Sequence, residues 1–339
     1  MSDENKENLE YGLPSHEEME RTGDPITMGS SPFKFLVSGL EWGNLPDNWT
    51  LSEATSVAVN SVDEIIVFNR GTKPIIIFDK EGNYLRSWGE NTFSNAHGIS
   101  VDNSDNIYCV DSGDNTVRKF DPSGNLIFQL GKEGERAEKM SGLPFAVPTQ
   151  VAVDESTNDF YVADGYSNAK VHKYDENGKY LFSWGESGTG EGQFNIVHNI
   201  STDSEGLVYV ADRENHRVQI FSTEGQFIKE WHVHKATAVT TDHKGNIFIA
   251  EQGPPPVQYG VKNLGHSVGI WDRDGNLLQR LGAELPGEEP DQFLWPHSIS
   301  VDSKGRITSV SNSQIGFDAV PGLSLIHISE PTRLLSISY

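Results

Sequence analysis

One short phrase occurs six times in this chain, and its opening residue alternates. The copies span Thr55–Asn60, His97–Asp102, Thr149–Asp154, His198–Asp203, Thr237–Asp242 and His297–Asp302. Each has Val or Ile at its third position and Asp or Asn at its sixth. Their starts lie 42, 52, 49, 39 and 60 residues apart. Self-similarity at such a period means repeated structural units, each burying its apolar face only against the next.

The second unit shows what is repeated. Apolar or alternating runs at Gly98–Val101, Asn106–Val110, Thr116–Phe120 and Leu126–Leu130 are separated by turn clusters at Asp102–Asp105, Asp111–Asn115 and Asp121–Gly124. Four short strands joined by tight turns are one blade of a β-propeller. Several units close on a similar word, as in Ser87-Trp88-Gly89 and Ser183-Trp184-Gly185. The predicted fold is therefore all-β, a six-bladed β-propeller over residues 33–316, with Phe33–Val37 as a strand that closes the ring. A solenoid fits less well, because the strands are uniformly short and antiparallel in pattern. Residues 1–32 read as a polar extension, with a short helix at Ser15–Arg21. The sixth unit starts at His297 but has no recognisable third or fourth strand after Arg306–Val310. Leu323–Arg333 reads like a translated sequencing-library adapter, the alternative being a real, divergent outer strand; residues 317–339 are assigned as a non-native tail and the sixth blade as incomplete.

Composition narrows the function classes. A net charge of −23 speaks against nucleic acid, whose phosphates require clustered Lys and Arg. No apolar stretch approaches the ~18 residues of a membrane span. The acidic start lacks the pattern of a secretory signal, and Cys109 is the only cysteine. The expectation is a cytoplasmic protein without disulfides or a membrane partner.

In a propeller the first strand of each blade lines the central channel, so the alternating residue stands at one mouth. Units two, four and six are about 120° apart on a six-fold ring. His97, His198 and His297 then face the axis from three sides. Three imidazoles with open positions left over form a catalytic type of metal site. Zinc leads, and iron, copper and nickel also suit imidazole. His232 and His234 read as a surface pair, and His172, His216, His243 and His266 as solvated. The second strand runs antiparallel to the first and ends at the same mouth. That places Arg70, Tyr166 and Arg213 above the histidines. A dication and arginines would favour the Tyr166 phenolate, a general base. An arginine fork can hold a carboxylate; alternatively both arginines make structural salt bridges. Two long stretches, Lys132–Val147 and Gln252–Gly265, belong to this mouth as covers or as plain surface insertions.

The repeats resemble the NHL family. The words Phe68-Asn-Arg-Gly71, Ala96-His-Gly98, Asp164-Gly-Tyr-Ser-Asn168, Phe194-Asn-Ile-Val-His198, Ala211-Asp-Arg-Glu-Asn215 and Trp295-Pro-His-Ser298 together resemble the peptidyl-α-hydroxyglycine α-amidating lyases. That resemblance runs from about Thr55 to Asp302. It implies zinc on His97, His198 and His297, Tyr166 as base, Arg70 supporting the tyrosinate and Arg213 holding substrate. The implied reaction cleaves the N–C bond of an N-acyl or peptidyl α-hydroxyglycine, a carboxylate-bearing substrate, to an amide and glyoxylate. The family's calcium uses an acidic residue directly after the third histidine. Ser298 stands there instead, which speaks against calcium. The competing functions are a lactonase-type metal hydrolase, whose sites use carboxylates and Asn, and a non-catalytic NHL scaffold, which gives no reason for histidines in phase.

Overall fold

A computed structural model describes residues 27–37, 42–49, 51–283, 285–287 and 291–311, and the backbone of Ser324–Ser329. The expected helix at Ser15–Arg21 lies outside them. The described residues form an all-β propeller. Five four-stranded antiparallel sheets follow one another. Their inner strands are Ala54–Val59, Ala96–Val101, Gln150–Val153, Val197–Thr202 and Ala236–Thr241. A sixth sheet starts with Pro296–Val301 and Ile307–Ser311, and Phe33–Val37 and Thr27–Ser30 complete its outer edge. Each inner strand packs beside the next, and that of blade six lies beside that of blade one, so the ring closes.

The third position of the sixth sheet departs from expectation. Ser324–Ser329 lies there, pairing Ser309 with Ile326 on one side and Val37 with Ile328 on the other. Ile326 and Ile328, within the stretch assigned as tail, are β-branched residues that suit a strand. The backbone order of this sheet is thus inner, second, third, then the Phe33–Val37 strand, as ring closure demands. Residues 312–323 and 330–339 are outside the described set.

Core formation follows the repeat. Each apolar cluster is shared by two neighbouring blades. Ile66, Phe68, Ile75 and Ile77 of blade one meet Ile99, Ile107 and Phe120 of blade two. Met28, Phe35, Phe248, Ile270, Ile299 and Ile307 join blades five and six. A blade is buried on both faces, so its second and third strands are buried almost throughout rather than alternating with solvent. The Trp-Gly words belong to the same seams. Trp88 ends blade one and lies over the Asp121–Gly124 turn of blade two, and a Cβ on Gly124 (φ +86°) would stand 2.9 Å from its ring. Only glycine meets both the positive φ and the close approach. Cys109 is buried and unbonded. No helix among the described residues is long and apolar enough to cross a membrane.

Candidate metal centre

Backbone irregularity aims the repeat-opening residues. In five of the six blades the ladder between first and second strands shifts register at that residue: between Ala54 and Ser56, Ala96 and Gly98, Val197 and Asn199, Ala236 and Ala238, and Pro296 and Ser298. A bulge leaves one residue unpaired and re-aims its side chain. The bulged residue is each time the alternating Thr or His.

The three histidines converge. His97, His198 and His297 are 3%, 1% and 5% exposed. Their ring centroids are 5.3, 5.0 and 4.8 Å apart, and one ligand atom from each lies within 4.8 Å of the others. The intervening threonines orient them. His97 Nδ1 donates to the Thr149 carbonyl at 2.7 Å, His198 Nδ1 to Thr237 at 2.6 Å and His297 Nδ1 to Thr55 at 2.6 Å. A carbonyl can only accept, so each Nδ1 carries the proton and each Nε2 presents a lone pair. This is the outer support that metal-binding histidines require. The threonines are fixed in turn: Thr149 Oγ1 donates to the Val197 carbonyl at 2.8 Å and Thr237 Oγ1 to Pro296 at 2.6 Å.

Tyr166 closes the cluster from above. Its Oη is 3.0 Å from Nε2 of both His97 and His198. One phenolic proton can satisfy only one of these acceptors. The cluster therefore holds more lone pairs than protons, an imbalance that a cation would relieve. Protonating the imidazoles is the costly alternative. Burial, then the charge of His297, pushes His97 well below its ordinary value. Burial, then Arg213, does the same to His198. Burial pushes His297 down to about 4. The donor set fits a divalent ion of zinc type.

These shifts set a pH dependence. Imidazoles depressed in the folded state bind fewer protons than in the unfolded chain. The metal-free protein should keep this stability above the ordinary histidine value of 6.5 and lose it as pH falls from there toward 4. Thermal unfolding of chelator-treated protein at pH 7.5 and pH 5 checks this; an equal or higher midpoint at pH 5 would contradict it.

Both arginines stand at this mouth. Arg213 lies over the Tyr166 ring, 5.8 Å from its centroid, and its Nε donates to Glu214 at 2.8 Å. Arg70 pairs with Glu53 at 2.6 Å and donates from Nε to the Ala96 carbonyl, next to His97. The salt-bridge alternative is thus realised for each, alongside proximity to Tyr166. In the metal-free protein burial raises the Tyr166 phenol above its ordinary value, and Arg213 and Arg70 oppose this.

Other histidines also differ from expectation. His172 and His266 are fully buried rather than solvated. His172 Nε2 faces the Asp164 carboxylate at 3.2 Å. His266 donates to the Leu294 carbonyl and is flanked by Tyr259 and Trp295. His234 is partly buried, its ring 4.8 Å from that of His216. In each case the covering groups come from a different strand or loop.

The Lys132–Val147 stretch is tied to the Tyr166 loop. Met140 N donates to Ser167 O at 2.8 Å, Gly142 N to Asn168 Oδ1 at 3.0 Å and Asn168 Nδ2 to Leu143 O at 2.9 Å. Gly165 makes the Tyr166 position reachable, since a Cβ there would stand 1.9 Å from the Val197 carbonyl oxygen.

Comparison with known proteins fits this architecture. The NHL repeat pattern matches residues 194–221. Mouse (Mus musculus) NHL repeat-containing protein 3 is 32% identical over 279 residues, covering 79% of this chain and 71% of that protein. The chain belongs to the NHL-repeat family. This NHL propeller is also 33% identical over 194 residues to Drosophila melanogaster peptidyl-alpha-hydroxyglycine alpha-amidating lyase 1, over 51% of this chain and 34% of the relative. It spans only 18% of the Xenopus laevis peptidyl-glycine alpha-amidating monooxygenase A that it matches at 31% identity over 48% of the chain. Among solved structures, a Xanthomonas campestris gluconolactonase superposes with a TM-score of 0.60 at 12% identity, covering 91% of this chain and 95% of that one. The likeness is one of fold.

Proposed function

We propose that this NHL propeller is a metal-dependent carbon–nitrogen lyase acting on N-acyl or peptidyl α-hydroxyglycines. The observation that carries the reading is the buried set of three convergent Nε2 lone pairs, two of which share the one phenolic proton of Tyr166. The amidating-lyase relative supports the reaction type. His97, His198 and His297 would hold the ion, which when bound supplies Lewis acidity toward a substrate oxygen.

The remaining chemistry falls to the chain's own residues. Tyr166 Oη is the group placed to take the proton from the substrate hydroxyl. Arg213 against its ring and Arg70 beside His97 favour the phenolate against burial. As the hydroxyl becomes a carbonyl, the N–C bond breaks and its electron pair leaves on nitrogen. The proton on Tyr166 Oη passes to that nitrogen, giving a primary amide and glyoxylate.

Incubating zinc-loaded protein with α-hydroxyhippurate should yield benzamide and glyoxylate in equal amounts. Lactone hydrolysis without any glyoxylate would replace the lyase reading with the hydrolase one.

A further inference from the structure

Arg136 is a third arginine at the Tyr166 mouth, and it differs from the other two in its charge balance. Glu53 pairs with Arg70 and Glu214 with Arg213. The acids flanking Arg136 are also engaged: Glu133 with Arg118 and Glu135 with Lys132. Among the described residues, no carboxylate lies within ion-pair distance of Arg136. Its guanidinium donates instead to Ser167 Oγ, the neutral side chain next to Tyr166. An exposed arginine with no acidic partner is unusual in a chain of net charge −23.

The loop holds that cation in place. Ala137 N donates to the Phe145 carbonyl at 2.9 Å, and Gly134 N to Asp114 O at 3.2 Å. With the bonds to Ser167 and Asn168, these fix both sides of Arg136 to blades two and three. Position then decides which part of a substrate it meets. Arg213 lies against Tyr166 itself, on the reacting centre, whereas Arg136 reaches only the neighbouring Ser167 and stands on the exposed rim. A substrate with its hydroxyl at Tyr166 extends toward the rim through its acyl group.

We propose that Arg136 is a specificity residue that recognises an anionic group on the part of the substrate that leaves as the amide. This rests on the lyase reading above. A guanidinium fork matches a carboxylate in geometry and charge, and a solvent-exposed pair gives a modest preference.

The test compares α-hydroxyhippurate with its 4-carboxybenzoyl counterpart. The unmodified protein should favour the carboxylated substrate about five-fold in kcat/KM, mostly through KM. Arg136→Gln should bring the ratio to about one, and Arg136→Lys should restore part of it. A ratio near one in the unmodified protein, or one unchanged in Arg136→Gln, overturns the assignment. Calorimetric binding of hippurate and 4-carboxyhippurate separates it from the lyase reading. If neither substrate gives glyoxylate, tighter dianion binding that Arg136→Gln abolishes still supports the Arg136 role. Equal binding of the two ligands, or none, overturns it.

Discussion

Replacing His198 by alanine is expected to strip the metal from this protein. The unmodified chain should carry close to one zinc ion by elemental analysis, and His198→Ala less than a tenth of that after dialysis. Loss of an outer-shell partner alone weakens metal sites about 10–100-fold, and a ligand removed outright should exceed that. His198 is the informative choice because it touches the whole cluster: both other imidazoles, the Tyr166 hydroxyl and the Thr237 carbonyl. Its removal leaves the blade cores intact, so far-ultraviolet circular dichroism should be unchanged. A folded His198→Ala protein with full metal content would remove the centre from consideration.

The second large effect separates binding from turnover. Tyr166→Phe should keep zinc, because the three imidazoles and their carbonyl acceptors are untouched. It should lose about 10²–10⁴-fold in kcat, the usual contribution of a positioned proton-transfer group. Phenylalanine preserves the ring under Arg213 and deletes only the oxygen between His97 and His198. Unchanged turnover would take Tyr166 out of the mechanism and leave it as a cover for the histidines.

Much of this site was legible in the sequence because repetition converts phase into position. Three histidines opening alternate copies of one phrase must meet if the copies form a ring. The same logic placed Arg70, Tyr166 and Arg213 at their mouth, and Phe33–Val37 in the closing sheet. What escaped was whatever does not repeat or is not a side chain. The alternation of threonine with histidine looked like a marker, yet its physical content is a backbone carbonyl one blade further on. The register shifts that aim the histidines leave no residue signature. His172 and His266 are buried by groups distant in sequence, so their polarity alone misplaced them. Arg136 sits in the non-repeating Lys132–Val147 stretch, with no phase to flag it. Ser324–Ser329 was read as tail because Leu323–Arg333 resembles a translated adapter, although strand formation asks only for backbone pairing.

The bonds around the histidines also have a mechanical meaning. His97 ties blade two to three, Thr149 three to four, His198 four to five, Thr237 five to six and His297 six to one. Together with the Arg70 bond from blade one to Ala96 of blade two, they form a hoop around the axle of the wheel. An ion held by alternate spokes would load that hoop evenly. Metal uptake should therefore stiffen the blades as a set, and a blade that slips outward should release the ion.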